Sequence, residues 1–117
     1  MICNIFYKNL EPMPQVEAML EKKVSKVEEL LSSFDDDTIR LEVTFEKQAR
    51  REEYYVSLTL AVPKKTLRAK DEGFDAFNAM NLAFDELLRE VKKFKDMMKK
   101  EHTYKIRRAE KKPRKTE

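Results

Sequence analysis

Residues 38–62 read TIRLEVTFEKQARREEYYVSLTLAV and contain two runs of strict alternation. In the first, Ile39, Leu41, Val43 and Phe45 alternate with Arg40, Glu42, Thr44 and Glu46; in the second, Tyr54, Val56, Leu58, Leu60 and Val62 recur at every other position. Strand side chains point alternately to two faces, so each run predicts a strand with one buried and one wet face. The polar connection KQARREE, which holds Arg50 and Arg51, joins them. Pro63-Lys64-Lys65 reads as a turn, and TLRAK after it as a weaker strand with Leu67 and Ala69 inward. Together these segments predict an antiparallel meander that needs a cover on one face.

The cover is legible on either side. From Gln15 the apolar residues Val16, Leu20, Val24, Val27, Leu31 and Phe34 recur three or four apart, the stripe of an amphipathic helix, with Pro14 acceptable in its first turn. The acidic loop Asp35-Asp36-Asp37 closes it. After Gly73, which allows a bend, Asp75 is placed to cap a second helix. Its stripe is Phe77, Met80, Phe84, Leu87, Val91, Phe94 and Met98, a run of about 25 residues, longer than the usual ~11–12. Ahead of the first helix, CNIFYKNL alternates as a short strand with Cys3, Ile5 and Tyr7 on one face, which makes Cys3 a core thiol. The order is β-α-β-β-β-α, an α+β fold with two helices packed on one face of a four-stranded sheet.

Composition narrows the function. The chain has 117 residues, enough for one domain with a single core. We expect that domain to span residues 1–101, followed by a basic, disordered tail over 102–117. No apolar run approaches the roughly 20 residues that cross a membrane, and the N-terminus lacks the pattern of a secretory signal. One cysteine precludes an internal disulfide and suits a reducing cytoplasm. One histidine and one cysteine cannot build a zinc site, and one glycine cannot build a phosphate-cradling loop. No serine sits in a nucleophile elbow, and the three aspartates read as a solvated turn. An enzyme, a cofactor, a resident metal and a small-molecule substrate are therefore not expected.

The charges are more telling. The net charge is +3, yet residues 103–117 hold seven basic residues (Lys105, Arg107, Arg108, Lys111, Lys112, Arg114, Lys115) against Glu110 and Glu117. The remainder has a slight acidic excess, so any basic surface there comes from sorting charges onto faces. Lys22, Lys23 and Lys26 lie within a turn of one another beside the first apolar stripe. On the second helix Arg89, Lys93 and Lys100 lie opposite the stripe, with Lys92 at their flank. Ordinary solubilising lysines would also produce this pattern. The clustering toward the C-terminal half of both helices favours a groove that binds phosphates by counterion release. Tyr55 is the one outward aromatic, so stacking of single-stranded bases is not expected, and recognition of structured RNA by shape and backbone fits better.

The element order, together with AKDEGFDAFNAMNLAFDELLREVKKFKD (residues 69–96), resembles the ribosome hibernation promoting factors, also called ribosome-associated inhibitor or sigma-54 modulation proteins. The matching residues are Asn4 and Ile5; Lys23, Lys26 and Glu28; Phe34 and Asp35; Asp75, Ala79, Asp85, Leu87 and Arg89; and Lys93, Lys95 and Asp96. The resemblance covers residues 1 to about 100 and implies a fold similar to the double-stranded-RNA-binding domain. It also implies a non-enzymatic factor that occupies the small-subunit channel where mRNA and the A- and P-site tRNAs would sit. Such a factor holds ribosomes inactive during stress or stationary phase, contacting 16S rRNA phosphates. By that resemblance Lys23, Lys26, Arg89, Lys93 and Lys95 are expected rRNA contacts. Geometry adds Lys22, Lys92, Lys100, Arg68, Lys70, Arg50 and Arg51. The chain looks like a short form without the second domain that pairs ribosomes into 100S dimers, and its tail would extend along the mRNA path. It departs from the family pattern at Glu86, where a lysine is usual, at Asn81, where an aspartate is usual, and at Tyr7, where a small residue is common. The rival readings are a general structured-RNA-binding stress protein and a protein-interaction module of the same fold.

Overall fold

The computed structural model describes residues 1–48, 50 and 53–116; of residues 101–116 it describes the backbone alone. The elements are β1 (Ile2–Lys8), α1 (Pro14–Leu30), a single 3-10 turn (Asp36–Thr38), β2 (Arg40–Lys47), β3 (Tyr54–Val62), β4 (Lys65–Gly73) and α2 (Ala76–Thr116). The expected order holds, and the sheet order is β1-β2-β3-β4. β2, β3 and β4 form the antiparallel meander, Leu41 facing Leu60 and Leu58 facing Ala69. β1 lies parallel to β2, with Ile5 beside Val43, so α1 is the crossover of a β-α-β unit.

The alternation does what it promised. Leu41, Val43, Phe45, Val56, Leu58, Leu60, Leu67 and Ala69 are buried beneath the helices, together with Val16, Leu20, Val27 and Leu31 of α1. From α2 come Met80, Phe84, Leu87, Val91 and Phe94, while Ala76, Ala79 and Ala83 let that helix sit close over β3 and β4. Asp75 caps α2 as expected: its carboxylate accepts the Asn78 N–H at 2.7 Å and its carbonyl accepts that of Ala79. α1 starts on Met13 without a side-chain cap and relies on Pro14 in the first turn. Gly73 is needed for space. A methyl there would strike the Asn78 side-chain oxygen and lie 2.7 Å from the Ala79 nitrogen. Lys64 closes the β3–β4 turn with φ of 71°, in the left-handed region that disfavours a side chain.

Three expectations change. Cys3 is exposed rather than a core thiol. It does face the helix side with Leu41, but β1 is an outer strand, and α1, which packs chiefly against α2, covers it only in part. Ile5 is exposed for the same reason; only Tyr7 is drawn in, stacking on Phe45 at 5.4 Å between ring centroids. On the other face Phe6 is exposed too, so Tyr55 is not the one outward aromatic. The α2 backbone also continues past the expected 25 residues, through Thr116.

Candidate nucleic-acid interface

The two helices run in the same sense. β1 and β4 both run parallel to β2, and a helix follows each, so both helices return in one direction. Accordingly Pro14 and Val16 of α1 line one cavity with Asp75, Ala76 and Phe77 of α2, and Phe34 just beyond α1 meets Phe94 at 5.7 Å.

With about 100° per residue, each helix then shows two different flanks. On α1, Glu17, Glu21, Val24, Ser25 and Glu28 line a groove against Cys3 and Ile5 of β1. The opposite flank, turned toward α2, carries Met19, Lys22, Lys23, Lys26 and Leu30. On α2, Glu86, Arg89, Glu90 and Lys93 surround a hollow with Arg68 beside β4. The opposite flank, turned toward α1, carries Leu88, Lys92 and Lys95. Lys22, Lys26 and Lys92 are exposed, and Lys23 and Lys95 are half-buried.

The expected basic residues therefore form two groups. Lys22, Lys23, Lys26, Lys92 and Lys95 border the seam between the helices. Arg89 and Lys93 lie instead at the β4 edge with Arg68, and there the surface is mixed. Lys93 sits 3.8 Å from Glu90, an exposed pair worth little by itself. Asp71 shares the helix-facing side of β4 with Leu67 and Ala69 and meets Glu86 across the edge. Its hydrogen bond raises the Glu86 carboxyl above the usual carboxylate range, helped by partial burial and the Asp71 charge, while Arg89 opposes the rise. Glu86 thus pairs foremost with a second carboxyl group.

The remaining positions lie apart. Lys70 is on the open sheet face, its ammonium 5.7 Å from the Tyr55 ring centroid. Arg50, in the β2–β3 connection, is exposed at the end of the sheet where the helices begin. Lys100 is exposed, beyond the last buried residue of α2. Arg51 and the side chains of Lys105, Arg107, Arg108, Lys111, Lys112, Arg114 and Lys115 lie outside the described residues, and the expected division at residue 102 falls within the α2 backbone. The sequence reading singles out Glu86 but misses its carboxyl partner Asp71 at the β4 edge. The signal was there: Glu86 and Glu90 stand four apart, and the parity of Leu67 and Ala69 puts Asp71 on their side.

The site thus stands on an α+β sheet with two parallel helices and a lysine-bordered seam. The family model described as sigma 54 modulation protein / S30EA ribosomal protein matches residues 3–99, and the chain belongs to that family, a non-enzymatic one. A ribosome hibernation promotion factor of Lactococcus lactis is 29% identical over 97 residues, which are 81% of this chain and 50% of that protein. The chain thus spans about half the length of this curated relative. Among solved structures, a ribosomal subunit interface protein from Coxiella burnetii superposes with a TM-score of 0.67 at 18% identity, over 82% of this chain and 99% of that one. The N-terminal domain of Thermus thermophilus Protein Y gives 0.65 at 21% identity, over 80% and 99%. At these identities the likeness concerns the fold. Among the described residues no helix is long and apolar enough to cross a membrane.

Proposed function

We propose that this chain is a ribosome-binding factor of the cytoplasm that occupies the small-subunit decoding channel, at the A and P tRNA sites and the mRNA path. There it holds ribosomes inactive during stress or stationary phase. The observation that carries this reading is the seam itself: five lysines from two parallel helices border one strip in a chain whose family is defined by ribosomal proteins. A row of cations on rigid helices suits the ridged phosphate backbone of folded rRNA, which is recognised by shape and charge rather than by base edges. Arg68, Arg89 and Lys93 form a second, weaker contact because Glu86, Glu90 and Asp71 dilute them. The basic stretch from Lys105 to Lys115 would follow the mRNA path.

Sedimentation of the purified chain with ribosomes tests the proposal. At low salt it migrates with 70S or 30S particles, and it leaves them at high salt, as binding through phosphate contacts requires. A chain that stays at the top of a low-salt gradient overturns the reading. A chain that binds any folded RNA equally well, without preference for the small subunit, supports the general RNA-binding alternative.

A further inference from the structure

Among the described residues β1 is one of the two outer strands of the sheet, paired only with β2. Ile2 donates its N–H to the Ile39 carbonyl. Backbone groups alternate in direction along a strand, so those of Cys3, Ile5 and Tyr7 point to the free edge. Edge strands are commonly blunted by proline, bulges or inward charges. β1 instead shows Ile2, Ile5 and Phe6, exposed by 44%, 38% and 47%, with Lys8 as the one charge at its end.

Beside this edge lies the groove under α1, about 480 Å³ in volume. Its floor is Cys3, Ile5, Leu20 and Val24, and its rim is Glu17, Glu21 and Glu28. Glu17 accepts the Tyr7 hydroxyl at 2.6 Å, and Glu28 stands close enough to Cys3 to help burial raise the thiol. No lysine or arginine lines the groove among the described residues.

We propose that this groove takes an extended, lysine- or arginine-bearing protein segment, which adds to β1 as a fifth strand of the sheet. Strand addition supplies backbone hydrogen bonds, and the alternating side chains set specificity. On the groove side, basic residues lay their stems over Ile5 and Val24 and bring their charges to Glu21 and Glu28. On the other side, apolar residues meet Ile2 and Phe6. Charge selects this occupant over others. A second copy paired edge to edge would set one row of glutamates against another, and RNA would be repelled by the same row. The surface lies on the far side of α1 from the lysine-bordered seam, so it is open to a protein neighbour while the seam holds phosphate.

The experiment uses the full chain and a fluorescein-labelled heptapeptide of alternating lysine and valine, with a glutamate–valine heptapeptide as control. Anisotropy should show binding of the basic peptide and none of the acidic one. In ¹⁵N spectra the shifts should centre on Cys3, Ile5 and Tyr7. The double variant Glu21→Lys/Glu28→Lys, altered only on an exposed helix flank, should weaken binding at least tenfold. Ile5→Pro removes an outward N–H while sparing the ladder to β2, and should weaken binding similarly. Any of four results overturns the proposal: no binding of the basic peptide, binding unchanged in the double variant, shifts centred on the lysines of α2, or self-association through β1 that the basic peptide does not displace.

Discussion

Replacing Lys22, Lys23 and Lys26 together by glutamine removes three of the five lysines bordering the seam and leaves the helix pattern intact. Glutamine and lysine have similar helix propensities, and none of the three positions is fully buried, so the melting temperature should move little. Binding should respond strongly. If each seam lysine neutralises one phosphate, log K falls against log salt with a slope of roughly 0.9 per contact. Five contacts then cost about 500-fold in affinity between 50 and 200 mM salt, and two contacts only about 10-fold, by the same relation. The assay is equilibrium binding to purified small subunits by filter retention across that salt range, for the parent chain and the triple variant. The slope should fall by about 2.7. An unchanged slope, even with weaker binding, would refute the claim that these lysines meet phosphate.

Three further outcomes follow from the fold and the acidic edge. Gly73→Ala pushes a methyl against Asn78 and Ala79 at the start of α2, and should cost about 1–3 kcal/mol in denaturant unfolding. Lys64→Gly relieves a left-handed lysine in the β3–β4 turn; after allowing for the greater freedom of glycine in the unfolded chain, it should raise stability by roughly 0.5–1 kcal/mol. The Glu86 carboxyl is raised chiefly by its hydrogen bond with Asp71, so its contribution favours the fold at low pH and is lost as pH rises through its folded value. Glu86→Gln should therefore raise the melting temperature at neutral pH but not below the carboxylate range. Ribosome affinity should also rise on acidification in the parent, as Glu86 takes up its proton, and rise less in the variant.

Much of this was legible in the residues. Period two at Ile39–Phe45 and Tyr54–Val62, and the three-and-four spacing of both helices, are backbone geometries written directly into side-chain order, so elements, core and cap at Asp75 followed. Cys3 is not the core thiol expected, because alternation tells which residues share a face and not whether a helix covers that face. Only the packing of α1 beside α2 decides that β1 stays open. The site was legible in kind but not in partition. A wheel shows that Lys92 and Arg89 lie on different flanks, yet which flank meets α1 and which meets β4 depends on the sheet order. The same dependence hid the carboxylate pair of Asp71 and Glu86, whose partners lie 15 residues apart in sequence.

Directed hydroxyl-radical probing locates the seam on the ribosome. Iron chelate would be tethered to a cysteine introduced by Lys26→Cys in a Cys3→Ser chain, and the chain bound to 70S particles. A seam seated in the decoding channel gives scission of 16S rRNA along the path of mRNA and the A- and P-site tRNAs. Scission confined to the large subunit or to the outer surface of the small one would contradict it.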